Sequence, residues 1–132
     1  MEVIITSIPT EIPGTKLRRE RSEGPKPILA KMAITSLNHW AEKNGFPTCK
    51  FYDIDMLYPS DEDVEKYFLK NKADVVGFSA VVSTSYLQVK RLARIIKKID
   101  QKTLIVCGGY LTAAANTILR KTQIDVCVVG DG

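Results

Sequence analysis

The sequence has few of the residues that usually bind metals. Its only histidine is His39, and its three cysteines, Cys49, Cys107 and Cys127, are far apart. No two cysteines have the C-x-x-C spacing of a zinc or redox site. Each cysteine falls in or beside a predicted strand, so we expect reduced thiols that pack as small hydrophobic groups. His39 is expected at or near the surface rather than as a metal ligand.

The chain also lacks a long apolar run and a strong charge. No stretch approaches the about 18 apolar residues of a membrane-spanning helix, and the first residues lack the basic segment and apolar core of a signal peptide. Nineteen basic and 15 acidic residues leave a net charge of +4. The basic residues come without the exposed aromatic residues or groove-reading helix of a nucleic-acid-binding protein. We therefore expect a cytoplasmic protein that binds neither membranes nor nucleic acids directly.

The segment 73–110 has the pattern around which the other elements are arranged. A valine-rich run, 74–78, ends at Ser79, and a second apolar run, 103–107, ends at Gly108. Short apolar runs of this kind are typical of parallel strands that are covered on both faces, and the residues between them have helical periodicity. The predicted core side of this helix comprises Val89, Leu92, Ala93, Ile96 and Ile99. The predicted solvent side comprises Lys90, Arg91, Arg94, Lys97 and Lys98.

The remaining elements complete one α/β domain. Further strands are predicted at 2–8, 48–54 and 125–129, and helices at 27–44, 110–121 and 60–71, the last with Ser60 in a capping box. This order predicts a three-layer, doubly wound, flavodoxin-like fold over residues 1–132, with five parallel strands in the order 2-1-3-4-5. The apolar residues of the first helix, expected in the core, are Leu29, Met32, Ala33, Leu37, Trp40 and Ala41.

Two parts of the chain depart from a regular doubly wound pattern. Residues 9–27 hold four prolines, two glycines and eight charged residues, without helical or strand periodicity. Because this flexible loop leaves the carboxyl end of the first strand, it either covers the binding site or contacts a partner, or it is a disordered connection. No helix follows the last predicted strand, so we expect the chain to be a fragment of a longer protein.

Small residues follow two neighbouring strands of the predicted sheet. Ser79-Ala80-Val81 comes directly after one strand, and Gly108-Gly109 comes after the next. In a doubly wound sheet, ligands bind outside the carboxyl ends of the strands, near the point where the strand order reverses. Small side chains at both strand ends leave room for a bulky ligand. The sequence therefore predicts a binding site at this edge.

The spacing of these two groups resembles the pattern of cobalamin-binding domains, in which Ser-x-Leu precedes Gly-Gly by 26 to 28 residues, with Val81 here in place of leucine. The whole chain is similar to the amino-terminal domain of cobalamin-dependent radical S-adenosylmethionine enzymes. Three further segments contribute to this resemblance: Gly24-Pro25-Lys26-Pro27-Ile28-Leu29, Asn44-Gly45-Phe46 and Gly130-Asp131-Gly132.

The resemblance implies a cobalamin-binding module of a radical S-adenosylmethionine enzyme, such as a methyltransferase, that holds the corrin ring at the carboxyl edge of the sheet. The histidine loop Asp-x-His-x-x-Gly of mutases is replaced by 9–14, so no histidine from that position would bind cobalt. The chain also lacks the CxxxCxxC motif, so the iron–sulfur cluster, S-adenosylmethionine and the catalysis are expected in a partner carboxyl-terminal domain. The implied cofactor-binding residues are Thr10, Ser79, Val81, Ser83, Thr84, Gly108, Gly109, Tyr110 and Gly130.

Several alternatives remain open from the residues themselves. Ser79 could cap the following helix together with Ser83 or Thr84, and the glycine pair could serve only a tight turn. A domain that has lost its cofactor and serves only in interactions would have large side chains between the strand ends. A flavin or nucleotide site fits the first strand poorly, because prolines remove amide donors there. A phosphoacceptor or metal site around Asp53 lacks paired acidic residues after the first strand.

Overall fold

The computed structural model describes residues 1–10 and 31–130. Five parallel strands form one sheet in the order β2-β1-β3-β4-β5, which confirms the predicted order 2-1-3-4-5 and the flavodoxin-like class. The strands are β1 (Val3–Ser7), β2 (Lys50–Tyr52), β3 (Val75–Ser79), β4 (Leu104–Gly108) and β5 (Val126–Cys127). Most of the predicted loop 9–27, the start of the first predicted helix with Leu29, and the motif residues 24–29, 131 and 132 lie outside the described residues.

Five α-helices and two short 3-10 turns connect the described strands. The helices are α1 (Met32–Lys43), α2 (Ile54–Leu57), α3 (Asp61–Lys70), α4 (Tyr86–Ile99) and α5 (Ala115–Lys121). The 3-10 turns are Ser83–Ser85 and Tyr110–Ala114. The prediction of one α-helix over 110–121 was wrong in its first half, because that half forms the second of these turns. At α3 the predicted cap is present: the Ser60 hydroxyl accepts a hydrogen bond from the Asp63 amide at 3.2 Å.

The main core lies on one face of the sheet. Ile4, Val76 and Ile105 alternate along their strands with less buried neighbours and have no exposed surface. They pack with apolar residues of α3, α4 and α5, such as Val64 and Leu92. Right-handed crossovers explain this arrangement, because every connection that runs from β2 toward β5 places its helix on the same side of the sheet.

The opposite face is covered by α1 alone among the described helices. The connection from β1 to β2 runs in the other direction along the sheet, so a right-handed crossover puts α1 on the other side. Ile5 and Ile34 are buried but are not part of the main core cluster. We infer that they form the smaller apolar layer under α1.

The predicted core stripe of α1 was wrong. Met32, Leu37 and Trp40 are all exposed, and Trp40 stacks on Phe46 with ring centroids 5.8 Å apart. The only buried residue of α1 is Ile34. The sequence pattern identified which residues are apolar, but α1 is turned so that a different side meets the sheet.

The core side of α4 is as predicted, with one correction on its polar side. Val89, Leu92, Ala93 and Ile96 are buried, and Ile99 packs against the core. Lys97, predicted to face solvent, is also buried.

The amine of Lys97 hydrogen bonds to the carbonyl oxygens of Thr103 and Gln101 at 2.8 and 3.2 Å. It also forms an ion pair with Asp125, with Nζ 2.8 Å from Oδ2. A long side chain at the end of a helix can bury its stem while its amine meets oxygen atoms of neighbouring segments.

In the described part of the chain, no helix has the length and apolar character needed to cross a membrane.

Cys49, Cys107 and Cys127 are free, as expected. Burial raises the pKa of the Cys107 thiol to about 12, with a further contribution from the neighbouring Cys127. Burial also raises the pKa of Cys49 and of Cys127. All three thiols therefore favour the protonated form.

Candidate functional site

The carboxyl ends of three strands are aligned across the centre of the sheet. Ser7 of β1 pairs in register with Ser79 of β3, which pairs with Gly108 of β4. The backbone pairing continues beyond the strands, with the Ile8 amide bonded to the Ser79 carbonyl and the Ala80 amide bonded to the Gly108 carbonyl, at 3.1 and 2.9 Å. Residues in register on parallel strands lie about 4.8 Å apart, so Ser79 and Gly108 are brought together as expected.

The segment after β3 has an unusual set of hydroxyl groups. Ser79 is half-buried, and Ser83 and Thr84 are exposed on the 3-10 turn. None of these three hydroxyls forms a side-chain hydrogen bond with another described residue, and neither this turn nor α4 has a side-chain cap. The capping alternative for Ser79 therefore finds no support in the described residues, and the hydroxyls are available to a ligand.

Ser85 is a further polar residue at this position, which the sequence analysis did not identify. It has no exposed surface, and its Oγ has no hydrogen-bond partner among the described residues. An unpaired buried hydroxyl costs about 1–3 kcal/mol. The serine-rich run 83–85 was a visible signal, but nothing in the sequence indicated which of its hydroxyls would be buried without a partner.

The two adjacent glycines at the end of β4 differ in the space that surrounds them. Gly109 has a φ of +95°, and a β-carbon there would lie 2.4 Å from the Ala80 carbonyl oxygen. This glycine is required by the turn itself, in agreement with one of the alternatives above. At Gly108 a β-carbon would meet no atom within 4 Å. Gly108 therefore borders open space at the carboxyl end of β4.

The segment after Gly109 is hydrogen-bonded to the neighbouring turns. The first half of the predicted helix 110–121 is a 3-10 turn. Its Leu111 amide bonds to the Ala80 carbonyl at 3.2 Å, and its Thr112 amide bonds to the Gly109 carbonyl at 3.0 Å. The Thr112 hydroxyl bonds to the Gly109 and Val128 carbonyls. These bonds hold the turns after β3, β4 and β5 together, so this edge is built as one unit.

Exposed apolar side chains follow the strands at this same edge of the sheet. Tyr110 is 84% exposed, and Val81, Val82 and Val129 are exposed at the ends of β3 and β5. Val82 and Val129 were not among the predicted site residues, although both directly neighbour predicted ones. Gly130 follows β5 with a φ of +94° and with open space where a β-carbon would be. The edge can therefore accept a broad apolar surface as well as a narrow group beside Gly108.

The ends of β1 and β2 are polar and internally paired. The Ser7 hydroxyl donates a hydrogen bond to Asp53, and Ser7 Oγ accepts one from the Asp55 amide at 3.2 Å. Lys31 forms an ion pair with Asp55 at 2.7 Å and lies 3.8 Å from Asp53. Lys31 lies 22 residues before Asp53, so no local pattern indicated this contact.

The described residues contain no group of three histidine, cysteine or acidic residues that could hold a metal ion.

Thr10 is exposed beyond the buried Pro9, at the end of β1. His39 is exposed in the second half of α1. Because α1 runs antiparallel to the strands it connects, this half lies toward the opposite edge of the sheet.

The site as a whole is uncharged at its centre and has no acid–base pair. It combines hydroxyls without described partners, an open space beside Gly108 and an apolar rim at Tyr110. Such a site can bind a large ligand with a narrow polar extension. The residues at the ends of β3 and β4 are small, whereas the interaction-domain alternative predicted large side chains there.

A family model for the B12 binding domain matches residues 26–132. The chain belongs to the B12-binding domain family. B12 is cobalamin, so family membership supports cobalamin as the cofactor and agrees with the resemblance seen in the sequence. A search of curated protein sequences found no significant match.

Among solved structures, the B12-binding chain is similar to one described as the radical S-adenosylmethionine methyltransferase TsrM from Kitasatospora setae, with tryptophan substrate and a SAM analogue bound. The TM-score is 0.61 at 14% sequence identity, and the match covers 86% of this chain but only 20% of the TsrM chain. At this identity the likeness shows a shared fold.

Proposed function

We propose that this B12-binding domain is the cobalamin-binding module of a radical S-adenosylmethionine enzyme, a methyltransferase, and that it holds the corrin at the carboxyl edge of its sheet. The observation that carries the proposal is the open space beside Gly108, next to the half-buried Ser79. When bound, cobalamin would supply the cobalt centre for methyl transfer. The residues of this chain would bind and orient it.

The nucleotide tail of the cofactor would occupy the open space beside Gly108, at the carboxyl end of β4. Gly108 leaves this space open, and the Ser79 hydroxyl is free to hydrogen bond to a ring nitrogen of the tail. Ser83 and Thr84 would contact the tail or the amide groups of the corrin from the following turn. All of these donors are uncharged, as suits a tail base that is itself neutral.

The corrin ring would rest on the rim of the site. Val81, Tyr110 and Gly130 lie on three successive strand ends, and the exposed valine and tyrosine offer apolar contact to a flat ring. Thr10 would lie on the β1 side of the same edge. Burying the exposed apolar surface of Val81 and Tyr110 would contribute about 25 cal/mol for each Å² removed from water.

The lower face of the cobalt would receive no histidine from this chain. The only histidine is His39, which is exposed on α1 and is not at the ends of the strands. The segment Ser7-Ile8-Pro9-Thr10 stands at the end of β1 instead.

The catalytic part would be a radical S-adenosylmethionine domain joined after this one in a longer cytoplasmic protein. It would carry the iron–sulfur cluster and S-adenosylmethionine, and it would cover the corrin from the side opposite the sheet. The match to only 20% of the TsrM chain is consistent with this arrangement. The 132-residue chain would then be a binding domain without catalysis of its own.

The proposal is tested by titrating the chain with hydroxocobalamin, desalting it and measuring the retained corrin absorbance. Gly108→Trp would place a large side chain in the proposed tail space, where a β-carbon would meet no atom within 4 Å. Leu69→Trp is the matched control, because Leu69 is exposed on α3, near the opposite edge. We expect retention by the wild-type chain and the control but not by Gly108→Trp.

Two results would contradict this proposal. Equal retention by all three proteins would place bound cobalamin away from the open space beside Gly108. A wild-type chain that retains no corrin would not be a cobalamin-binding module in itself. Circular dichroism of each variant establishes that a loss of retention is not a loss of folding.

A further inference from the structure

Two of the three cysteines lie opposite each other on neighbouring strands. Cys107 of β4 pairs in register with Cys127 of β5. This register is held by backbone hydrogen bonds such as that from the Val128 amide to the Cys107 carbonyl, at 2.8 Å. Residues in register on parallel strands lie about 4.8 Å apart. This spacing falls within the range of about 4.4–6.8 Å that separates the Cα atoms of disulfide-bonded cysteines.

The side chains of the two cysteines lie on the same face of the sheet. Cys107 belongs to the main core cluster, and Cys127 packs against that cluster. The neighbouring Cys127 also contributes to the raised pKa of the Cys107 thiol, as expected for two thiols at short range. The third cysteine, Cys49, directly precedes β2 and is separated from this pair by β1 and β3.

The two thiols differ in their access to solvent. Cys107 has no exposed surface, whereas Cys127 is half-buried. Cys127 also belongs to a strand of two residues at the edge of the sheet. Local opening costs less free energy at such an edge than in the centre of a sheet. A small reagent would therefore reach Cys127 first and Cys107 second.

We propose that Cys107 and Cys127 form a reversible disulfide that fastens β5 to β4, with a small disulfide such as oxidised glutathione as the oxidant. The Cys127 thiolate attacks one sulfur of oxidised glutathione, forms a mixed disulfide and releases one glutathione thiolate. The Cys107 thiolate then attacks the Cys127 sulfur and releases the second glutathione thiolate. The two cysteines lose two electrons, oxidised glutathione gains them, and the two thiol protons pass to the released glutathione.

The proposed bond is expected to be readily reduced. In-register side chains of parallel strands leave the sheet side by side, so their β-carbons are separated by about the strand spacing of 4.8 Å. The β-carbons of a relaxed disulfide are only about 3.5–4.5 Å apart. A disulfide under such strain has a more oxidising potential than a structural disulfide, and it is therefore suited to reversible control.

The two redox states would differ at the carboxyl edge of the sheet. Cys107 directly precedes Gly108, and Cys127 directly precedes Val128, whose carbonyl accepts a hydrogen bond from the Thr112 hydroxyl. In the oxidised chain, a covalent bond closes the segment 107–127 and limits the opening of β5. The switch does not depend on cofactor binding, because both thiols lie on the core face of the sheet and not at its edge.

The proposal is tested on the folded 132-residue chain. The chain is incubated for hours in glutathione buffers of increasing oxidised fraction, because mainly protonated thiols exchange slowly, and free thiols are then alkylated. Trypsin separates the two cysteines onto the peptides 103–120 and 122–132. We expect mass spectrometry to find these peptides joined while Cys49 is alkylated. The Tm should rise by about 5 °C or more and return to its first value after reduction with dithiothreitol.

A matched control exchanges two neighbouring residues of β5. The double variant Val126→Cys and Cys127→Val keeps the composition and the apolar character of the strand. It moves the thiol to the opposite face of the sheet, because successive side chains of a strand alternate. Val126 is 40% exposed, so the moved thiol remains accessible. We expect a mixed disulfide with glutathione, but neither a bond to Cys107 nor a rise in Tm.

Three outcomes would overturn the inference. The wild-type chain, shown to be folded by circular dichroism, could stay reduced in oxidised glutathione alone or stop at the mixed disulfide. The exchange variant could form the bond to Cys107 as readily as the wild type, so that strand register would not matter. Finally, Cys49 could be linked as often as Cys107, which would show that the thiols pair in unfolded or associated chains.

Discussion

Gly109 lies directly against Ala80, so that a β-carbon on the glycine would be 2.4 Å from the Ala80 carbonyl oxygen. The same carbonyl accepts the Leu111 amide at 3.2 Å, and Ala80 itself is fully buried. The contact locks the turn after β4 onto the segment after β3. The two adjacent glycines therefore differ in role: a β-carbon added at Gly108 would contact no atom, whereas one added at Gly109 would clash with the backbone of Ala80.

We therefore expect Gly109→Ala and Gly108→Ala to differ in stability. Gly109→Ala combines a left-handed φ with a backbone clash and should lower the free energy of unfolding by about 3 kcal/mol. Gly108→Ala should change it by less than about 1 kcal/mol. Urea denaturation followed by circular dichroism measures both. Similar losses in the two variants would show that Gly108 is also held tightly and would weaken the case for open space beside it.

Ser79→Ala should weaken cobalamin retention without destabilising the fold. Its hydroxyl makes no hydrogen bond to another described residue, so its removal leaves the described fold unchanged, while a lost hydrogen bond to the cofactor would cost about 1.4 kcal/mol, or tenfold in Kd. Equilibrium titration by absorbance gives the Kd, and thermal melting gives the stability.

Ser60→Ala is the control for Ser79→Ala, because Ser60 caps α3. It should lower the free energy of unfolding by about 1 kcal/mol and leave the Kd for cobalamin unchanged. If Ser79→Ala instead lowered stability and left the Kd unchanged, the serine would be a structural residue and not a cofactor contact.

The sheet and its order were predictable because they depend on short-range patterns and on the handedness of connections. The apolar runs ending at Ser79 and Gly108 became β3 and β4. The helical period between them became α4, with Leu92 buried as expected. A right-handed crossover rule then places each helix on a definite face of the sheet. The positions of the strands and of α4 therefore follow from neighbouring residues in the sequence, and the side on which each helix packs follows from the topology.

Errors arose where a residue's surroundings come from distant parts of the chain. Trp40 was assigned to the core because it is apolar and at helical spacing, yet it is exposed and stacks on Phe46, outside α1. Lys97 was assigned to solvent because it is charged, yet Asp125, 28 residues later, meets it.

At the candidate site, the meeting of Ser79 with Gly108 follows from strand register and was predictable. The contact between Gly109 and Ala80 depends on backbone geometry that no residue pattern records. The ion pair between Lys31 and Asp55 depends on the docking of α1. The partners of Asp53 and Asp55 at the end of β2 could therefore not be predicted from the sequence alone.

Lys97→Met should be destabilising. The amine has three protein oxygen partners, and its removal leaves Asp125 and the Thr103 carbonyl without their cation. Asp125 is partly exposed and keeps its hydrogen bond from the Ile105 amide, so we expect the loss of this half-buried ion pair and of the two carbonyl contacts to cost about 1–2 kcal/mol. Lys98→Met removes a neighbouring, exposed ion pair with Glu65 at 3.2 Å and should cost less than about 0.5 kcal/mol. Urea denaturation at pH 7 compares them, and equal effects would mean that Lys97 is not buried in solution.

The stability of the wild-type chain should fall at alkaline pH partly through Cys107. Burial raises the pKa of this thiol from 9.0 to about 12, so above pH 9 the unfolded chain loses the proton that the folded chain retains. The contribution is complete below pH 9 and is lost as the pH rises toward 12. At pH 10.5 the loss would be about 2 kcal/mol.

Comparing the wild type with Cys107→Ala separates this contribution from other groups that titrate in the same range. The variant should be less stable at pH 7, by about 1–2 kcal/mol for a small cavity, but its stability should fall less between pH 9 and 10.5. The two proteins would therefore approach each other in stability as the pH rises. Curves that stay parallel would mean that the Cys107 thiol ionises as readily in the folded chain as in the unfolded one, and hence that β4 and β5 leave it open to water.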